Sequence, residues 1–311
     1  MMVRDLLRQR REEQSQRGAR GDPHHLALVV EGGGMRGVVA GGMVSGLEEL
    51  GVLECFDSIH GSSAGACAGA YFLAKQAKLG TSIYYEDINN KSFINVWRGL
   101  IGRPIMNTSF LIDYVMRSVK PLNVDEIRRH PGVLHVVATK ASTGEPVIFQ
   151  RFSDTDDFFL KLKASISIPI IAGKGVNIGS ELIYDGGMAQ QVPVLSALEN
   201  GATHILVLMT RRHHEVTRPV REGRYRWDEW IIRFVYGART AEEYRDRNRR
   251  TNDVVRAILA RELREKERSV TVEYILRPST GLHVDRLSTD GELLRGAAQE
   301  AQETVINHLR L

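Results

Sequence analysis

Residues 26–37 read Leu-Ala-Leu-Val-Val-Glu-Gly-Gly-Gly-Met-Arg-Gly. The apolar run at 26–31 predicts a buried β-strand, and a glycine-rich loop follows it directly. Residues 38–50 carry many small side chains and predict a helix that Gly51 closes. The stretch therefore predicts a strand, a tight loop and a helix in immediate succession.

Similar strand and helix signals recur along the rest of the chain. A short strand at 57–60 leads into a helix of small residues that reaches about residue 78. Two β-rich runs at 133–139 and 146–152 are joined by a Ser-Thr-Gly-Glu turn and predict a hairpin, and 204–209 predicts a buried strand. Strands that alternate with helices predict an α/β fold with a mainly parallel sheet and helices on both faces.

Composition divides the chain into three regions. Residues 1–25 are charged and lack the apolar segment of a signal peptide, so we expect a frayed leader there. Residues 26–209 hold the alternating strands and helices. Residues 210–311 are rich in arginine and predict long helices, and we expect them to form an extension packed on the core.

Cysteine content and hydropathy bear on the location of the protein. Two cysteines, Cys55 and Cys67, cannot build a disulfide framework, so we expect reduced, buried thiols. The longest apolar stretches fall short of the roughly 20 residues that a membrane-spanning helix needs. These features predict a cytoplasmic protein, with peripheral membrane contact as an open option.

The net charge of +4 is unevenly distributed. Residues 211–250 contain twelve arginines and seven acidic residues, which favours either an anionic partner or an ordinary solvated helix face. An apolar face recurs there at helical spacing, and we expect it either to contact an anionic membrane or to pack into the core. That face comprises Trp227, Trp230, Ile231 and Phe234, with Arg224, Arg226 and Arg233 interspersed.

The first chemical motif is a G-x-S-x-G pattern centred on Ser63, between a predicted strand and a predicted helix. A nucleophile elbow needs this context because its turn is sharp, so that Gly61 and Gly65 must be small for the chain to pass itself. The helix start would direct its dipole and N–H groups at the reacting centre. The alternative interpretation is an ordinary strand–helix turn with Ser63 as the N-cap.

The second motif is the glycine loop, which consists of Gly32, Gly33, Gly34, Met35, Arg36 and Gly37. Consecutive glycines let backbone N–H groups converge on one point, where they can bind a phosphate or the oxyanion of a tetrahedral intermediate. The loop also has the G-x-G-x-x-G spacing of a dinucleotide site. In that interpretation Glu54 or Asp57, about 20 residues further on, would contact the ribose.

The third motif, Asp185-Gly186-Gly187, follows a short strand predicted at 181–184. An aspartate at a strand end could lie at the same edge of the sheet as the serine and accept its proton. The alternative interpretation is an ordinary Asp-Gly turn.

The order of these three motifs resembles that of the patatin-like phospholipase family. The segments Ala-Ser-Ile-Ser-Ile-Pro at 164–169 and Val-Pro-Val at 192–194 are also similar to that family. The resemblance covers about residues 26–209. One departure is Gln191, where family members often have asparagine at a position that is usually structural.

The resemblance implies a three-layer α/β/α fold and hydrolysis of acyl esters of phospholipids or related lipids, without a metal or cofactor. It identifies Ser63 as the nucleophile and Asp185 as the base of a Ser-Asp dyad. It assigns the remaining site residues to the oxyanion loop (Gly32, Gly33, Gly34, Arg36 and Gly37), the elbow (Gly61 and Gly65) and the Asp-Gly-Gly loop (Gly186 and Gly187).

Two other functions stay open at this point. The chain could be a dinucleotide-binding protein that uses the glycine loop, or a catalytically silent lipid-binding scaffold. We expect no nucleic-acid partner. The histidines that follow Asp185 show no metal-ligand spacing, and none lies in an obvious loop at a strand end, which favours a dyad over a triad. They are His204, His213, His214, His283 and His308.

Overall fold

The computed structural model describes residues 1–169, 171–217, 233, 238–260, 264–265, 268–278 and 281–311. The described β-strands are β1 Leu26–Val30, β2 Ser58–Ser62, β3 Val133–Lys140, β4 Pro146–Phe149, β5 Val176–Ile178, β6 Glu181–Asp185, β7 His204–Arg212, β8 Arg264–Glu265, β9 Arg268–Ser269 and β10 Thr271–Arg277. The described α-helices are α1 Val3–Glu12, α2 Gly37–Glu49, α3 Ala64–Leu73, α4 Ala77–Glu86, α5 Trp97–Leu100, α6 Val124–Arg129, α7 Thr155–Ser165, α8 Val194–Glu199, α9 His213–Thr217, α10 Ala238–Ala260 and α11 Gly291–Leu309. A π-helix spans Phe110–Val119.

The central sheet has the strand order β10-β7-β1-β2-β3-β6-β5, with β4 also paired to β3. The strands from β10 to β3 are parallel to one another, whereas β4, β5 and β6 pair antiparallel with their neighbours. The predicted α/β class with a mainly parallel sheet is confirmed. The predicted hairpin is the β3–β4 pair.

Burial along β1 shows why the fold has three layers. All five residues of β1 are buried, and they alternate between two cores. Leu26, Leu28 and Val30 face the larger core, which contains residues of α2, α3 and α11. Ala27 and Val29 face a second core with residues of α8 and α10. Because successive side chains of a strand point to opposite faces, an apolar strand of this kind must be covered on both sides.

The small residues of α2 have a packing role. A Cβ on Gly42 would overlap the backbone of Ala298, and one on Gly46 would lie 2.8 Å from the Gln302 carbonyl oxygen. Both partners belong to α11. Glycine at these positions therefore lets α2 and α11 approach more closely than larger residues would allow.

The N-terminal segment differs from the frayed leader that its charge suggests. Val3, Leu6 and Leu7 of α1 are fully buried in the larger core. These positions are spaced i, i+3 and i+4, so they share one face of the helix, and Arg10 continues that face. The apolar face orders the segment, and the charged residues on the other positions do not prevent its burial.

The region after residue 209 belongs partly to the same sheet, because β10 pairs with β7. Whether 209 is a domain boundary stays a prediction, and so does membrane contact through 211–250. The proposed apolar face at Trp227, Trp230, Ile231 and Phe234 lies outside the described residues. In the ranges that the structure does describe, no helix is both long and apolar enough to cross a membrane.

Two strand ends meet beside β3 and define the site. Ser62, the last residue of β2, pairs with Val137, and Asp185, the last residue of β6, pairs with the adjacent Ala138. Since β4 occupies the other edge of β3 at these positions, β2 and β6 lie along the same edge and meet end to end. This antiparallel approach of β6 brings Asp185 to the turn after β2.

Candidate active site

Ser63 occupies the turn between β2 and α3. Its backbone has φ 54° and ψ −127°, a conformation that residues other than glycine rarely adopt. The residue is buried, with 6% of its surface exposed. The turn is therefore sharp and strained, as the G-x-S-x-G pattern predicts.

The flanking glycines make this turn possible. A Cβ on Gly61 would lie 2.5 Å from Ala66 Cα, and a Cβ on Gly65 would overlap the Val30 carbonyl group. Real Cβ atoms do not approach other atoms so closely, so a larger residue at either position would displace the elbow.

The N-cap interpretation explains the position of Ser63 but not its hydroxyl group. Ser63 is the N-cap residue of α3, yet its side chain makes no capping hydrogen bond. Its carbonyl oxygen accepts a bond from the Ala66 amide at 2.9 Å. The helix thus starts without using Ser63 Oγ.

Asp185 is held at the end of β6 by its backbone and by one carboxylate oxygen. Its amide donates to the Ser167 carbonyl (3.1 Å) and its carbonyl accepts from Thr139 Oγ1 (2.8 Å). Its Oδ1 accepts from the Gly187 amide at 2.7 Å. The Asp-Gly turn is therefore present, and it also fixes the carboxylate. Asp185 as a whole is 2% exposed.

Several contacts place the Asp185 loop against the elbow. Ser63 and Asp185 line the same cleft. A Cβ on Gly186 would lie 2.7 Å from Ser62 Oγ, so this glycine allows the loop to pack directly on the residue before Ser63. Burial, together with the negative charge of Asp185, raises the pKa of the Cys67 thiol to about 12, and Cys67 lies one turn after Ser63 on α3.

Two amides of the glycine loop hold the loop itself in place. The Gly32 amide donates to the Gln191 carbonyl, and the Met35 amide donates to the Arg286 carbonyl, both at 3.1 Å. A Cβ on Gly32 would lie 2.5 Å from the Ser62 carbonyl oxygen. The loop is therefore clamped between the elbow, Gln191 and a C-terminal segment that the sequence motifs did not indicate.

The amides of Gly33 and Gly34 are different. Within the described residues neither has a hydrogen-bond acceptor, and both glycines line the cleft with Ser63. Gly34 has φ +60°, which favours glycine. The loop thus offers two amides to a bound group.

Arg36 and Gly37 close the loop. The Arg36 amide donates to the Gly33 carbonyl at 3.2 Å, and the Gly37 amide donates to the carbonyls of Gly34 and Met35. A Cβ on Gly37 would overlap the Tyr84 hydroxyl group. Their backbones are therefore structural, in contrast to those of Gly33 and Gly34.

Two serines of the 164–169 segment connect the elbow to the Asp185 loop. Ser165 Oγ accepts a hydrogen bond from the Ser63 amide (3.1 Å) and donates to the Val137 carbonyl (2.6 Å). Ser167 accepts from the Asp185 amide through its carbonyl. The sequence indicated this segment only by its resemblance to the family, and no local pattern revealed these contacts.

A buried glutamate lies behind the glycine loop. Glu31 Oε2 accepts from the Thr210 amide (2.7 Å) and hydroxyl (3.1 Å). Its Oε1 accepts from Arg211 Nε (2.6 Å) and Gln191 Nε2 (3.1 Å). Glu31 therefore ties the end of β1 to the end of β7, and the longer side chain of Gln191 reaches this network.

The cleft has a volume of about 720 Å³ and is open to solvent. Besides the motif residues, it is lined by Met106, Ile168, Ile171, Met188, Gln191, Arg286 and Leu287. A second, largely apolar cavity of about 430 Å³ also begins at Ser63. It shares Cys67, Tyr84, Ile88 and Leu111 with a third, narrow and largely apolar cavity. These two cavities adjoin each other, and we refer to them together as the apolar channel.

Three of the five histidines after Asp185 have contacts elsewhere in the structure. His204 Nε2 bonds to the Met1 carbonyl at 3.2 Å, at the amino end of β7. His308 Nε2 lies 2.8 Å from Glu273 Oε1, and His283 Nε2 lies 3.2 Å from Asp285 Oδ1.

Comparison with protein families agrees with this arrangement. The family model for patatin-like phospholipases matches residues 28–198, which is more than half of the 311 residues. The chain belongs to the patatin-like phospholipase family.

The individual proteins that resemble this chain have low sequence identity to it. "Uncharacterized protein YjjU" of Escherichia coli (strain K12) is 25% identical over 191 residues, which cover 60% of this chain and 52% of that protein. The chain therefore spans about half the length of that relative. Among solved structures, VipD from Legionella pneumophila has a TM-score of 0.46 at 14% identity, over 93% of this chain and 67% of that one. The type III effector protein ExoU has a TM-score of 0.39 at 14% identity, over 93% and 53%.

Proposed function

We propose that the protein hydrolyses acyl esters of phospholipids or related lipids with Ser63 as nucleophile and Asp185 as base. The observation that carries this proposal is the strained elbow, whose serine hydroxyl makes no capping bond and lines one cleft with a buried aspartate. A positioned carboxylate next to a serine is a known way to activate the hydroxyl group.

The reaction has two steps. Ser63 Oγ attacks the ester carbonyl carbon while Asp185 accepts the hydroxyl proton, and the ester C–O bond then breaks with return of that proton to the leaving alcohol. Water attacks the acyl-enzyme in the second step, again giving its proton to Asp185, and the fatty acid leaves as Ser63 recovers its proton. Neither step uses a metal or cofactor.

The amides of Gly33 and Gly34 are suited to the oxyanion of both tetrahedral intermediates. They have no acceptor among the described residues and lie in the same cleft as Ser63. Preorganised donors of this kind contribute on the order of 10²–10³ in rate each. In this proposal Gly32, Arg36 and Gly37 belong to the oxyanion loop as its supports.

The apolar channel supports a substrate whose ester carbonyl, the group that Ser63 attacks, carries a long acyl chain. Its lining near the serine includes Met35, Phe93 and Ile166, and that of the third cavity includes Tyr71 and Met116. An apolar chain gains roughly 0.8 kcal/mol for each CH₂ that it buries. Long-chain esters are therefore expected to have lower KM values than short ones.

The dinucleotide alternative is disfavoured by the direction of the strands. The glycine loop follows the carboxyl end of β1, whereas Glu54 and Asp57 precede the amino end of the parallel strand β2. Asp57 is also bound by Arg10 and Arg20. The acidic residue that would contact a ribose thus lies at the opposite end of the parallel strands from the glycine loop.

Labelling with a fluorophosphonate probe tests the nucleophile. We expect one label, at Ser63, and loss of both labelling and fatty-acid release in Ser63→Ala. Ser62→Ala is the matched control, because it removes the neighbouring hydroxyl group and should still be labelled at Ser63. A folded wild-type protein that takes no label, or a label that persists in Ser63→Ala, would refute the nucleophile and favour the silent scaffold.

The acyl channel has its own test. Leu111 lines both apolar cavities, so Leu111→Trp should shorten the channel. We expect this variant to lose activity on long-chain p-nitrophenyl esters while hydrolysis of p-nitrophenyl acetate is unchanged. An unaltered chain-length profile would exclude this channel as the acyl site.

A further inference from the structure

Buried arginines meet at the carboxyl ends of β7 and β10, beside the glycine loop. Arg212 ends β7, Arg277 ends β10, and the two residues are register partners in the sheet. They are only 8% and 2% exposed. Like charges at neighbouring strand positions repel each other, so this arrangement is unfavourable unless something else compensates it.

The hydrogen-bond donors of these two side chains are incompletely used. Arg277 Nη1 donates to the Val284 carbonyl at 3.3 Å, and Arg212 Nη2 donates to the Gly281 carbonyl. Among the described residues, Arg277 Nε and Nη2 and Arg212 Nε have no acceptor. Buried polar groups normally find partners, and charged donors have the strongest need for them.

Two further arginines lie next to the glycine loop, at its end and behind it. Arg36 folds back over the glycine loop, with its Nε 3.4 Å from the position of a Cβ on Gly33. Within the described part of the chain its Nε and Nη2 have no acceptor, and neither does Arg211 Nη2, although Arg211 Nε is bound to Glu31. We call Arg36, Arg211, Arg212 and Arg277 the arginine cluster.

The nearby acidic groups offset the charge of the cluster only in part. Glu215 accepts from the Arg212 backbone amide at 2.9 Å, and Glu300 accepts from the Leu282 amide at 3.1 Å, so each has a backbone partner. Burial and the charge of Arg212 lower the pKa of Arg277 from its usual value, and the carboxylates of Glu215 and Glu300 offset this only in part. The carboxylates of the described residues thus compensate only part of the positive charge at the ends of β7 and β10.

We propose that the arginine cluster binds a phosphate group beside the cleft. Guanidinium groups present parallel N–H donors that match phosphate oxygens, and ligands of open α/β sheets bind beyond the carboxyl ends of the strands. The Gly33 carbonyl accepts a hydrogen bond from the Arg36 amide, and Gly33 also lines the cleft. The phosphate is either the headgroup of a lipid substrate, an identification that rests on the proposed hydrolase function, or a free phosphate ion.

Binding is measured in the full chain carrying Ser63→Ala, so that no lipid is consumed. A calorimetric titration with inorganic phosphate should show binding. Arg277→Gln and Arg212→Gln should each weaken this binding by about tenfold or more. Arg256→Gln is the matched control, because Arg256 lies on α10 outside the cluster and its side chain is 65% exposed. Thermal unfolding establishes that each variant is folded.

Absence of phosphate binding, or equal binding by the folded cluster variants and the control, would overturn the proposal. Vesicles of phosphatidylcholine, with and without one-fifth phosphatidate, distinguish the two sources. Sedimentation with phosphatidate vesicles that requires Arg277, and that inorganic phosphate reverses, identifies a headgroup. Phosphate binding without a vesicle preference identifies a free ion. Phosphate binding by a protein that hydrolyses no ester would refute the proposed function alone.

Discussion

Buried arginines lie at both the amino and the carboxyl ends of the strands of the central sheet, but their hydrogen bonding differs. At the amino end, fully buried Arg10 donates to Asp22 (2.9 and 2.7 Å), to Asp57 (2.7 Å) and to two backbone carbonyls. Asp57 also pairs with Arg20 at 3.1 Å. At the carboxyl end, Arg212 and Arg277 retain N–H groups for which the described residues offer no acceptor.

This difference separates a structural site from one arranged for a ligand. The amino end joins α1 to the starts of β1 and β2 through satisfied charges. The carboxyl end combines the strained Ser63 backbone, the arginine cluster and two glycine amides for which the described part of the chain offers no acceptor. Strain and unsatisfied donors are unfavourable in themselves, and they persist where the surrounding structure fixes them. We therefore expect amino-end substitutions to reduce stability and carboxyl-end substitutions to reduce function.

The largest effect is expected at the carboxyl end, from Asp185→Asn. Asparagine keeps the size of the side chain but is no base, so kcat/KM for ester hydrolysis should fall by about a thousandfold or more, or roughly 4 kcal/mol of barrier. The exposed Asp156 provides the control Asp156→Asn, which should keep full activity. A folded Asp185→Asn enzyme with a tenth of the wild-type rate would exclude Asp185 as the base.

At the amino end, Arg10→Ala should lower the free energy of unfolding by about 3–5 kcal/mol, because it removes the arginine partner of Asp22 and leaves Asp57 with Arg20 alone. Arg277→Met removes a buried charge whose Nε and Nη2 have no acceptor among the described residues, and it should change the free energy of unfolding by less than about 1 kcal/mol. Urea unfolding of both variants measures the contrast. Equal destabilisation would mean that the two ends do not differ in this way.

Ser165→Ala tests a residue that acts through the elbow. Loss of its hydroxyl frees the Ser63 amide and the Val137 carbonyl, so we expect kcat to fall by about 10- to 100-fold with KM little changed, or roughly 1.4–2.7 kcal/mol. Ser165→Thr retains a hydroxyl and should restore most of kcat. Ser196→Ala, which removes a hydroxyl bonded to His60, is the control and should affect only stability. A rise in KM alone would contradict the positioning role.

The last prediction concerns the pH dependence of stability and the histidines of the interior. His60 and His135 stack at 4.1 Å. Burial places the pKa of His60 well below its usual value and lowers that of His135 to about 4. The unfolded chain therefore binds more protons than the folded one between about pH 6.5 and 4. Stability should fall as the pH drops through this window, by at most about 1.4 kcal/mol per pH unit for each histidine.

Urea unfolding at pH 7.5 and pH 5 measures this effect. His135→Gln, which does not titrate, should reduce the difference between the two pH values. Equal pH dependence in the wild type and in His135→Gln would show that His135 is not one of the groups responsible.

The sequence alone determined the features that depend on local geometry. The apolar run of β1, the glycines around Ser63 and the Asp-Gly-Gly turn leave a pattern in consecutive residues, because each must satisfy a steric demand of its own backbone. The α/β class, the mainly parallel sheet and the family could therefore be predicted. Ser63 and Asp185 were predicted as candidates in the same way, and their roles remain to be tested.

Only the tertiary structure decided which distant residues meet. Asp185 reaches the elbow because β6 pairs antiparallel with β3, and Ser165 contacts Ser63 across 102 residues of sequence. The burial of α1 and the convergence of Arg36, Arg212 and Arg277 likewise depend on strand order. Such contacts leave no periodic signal, because each depends on where another part of the chain packs and not on the residues beside it.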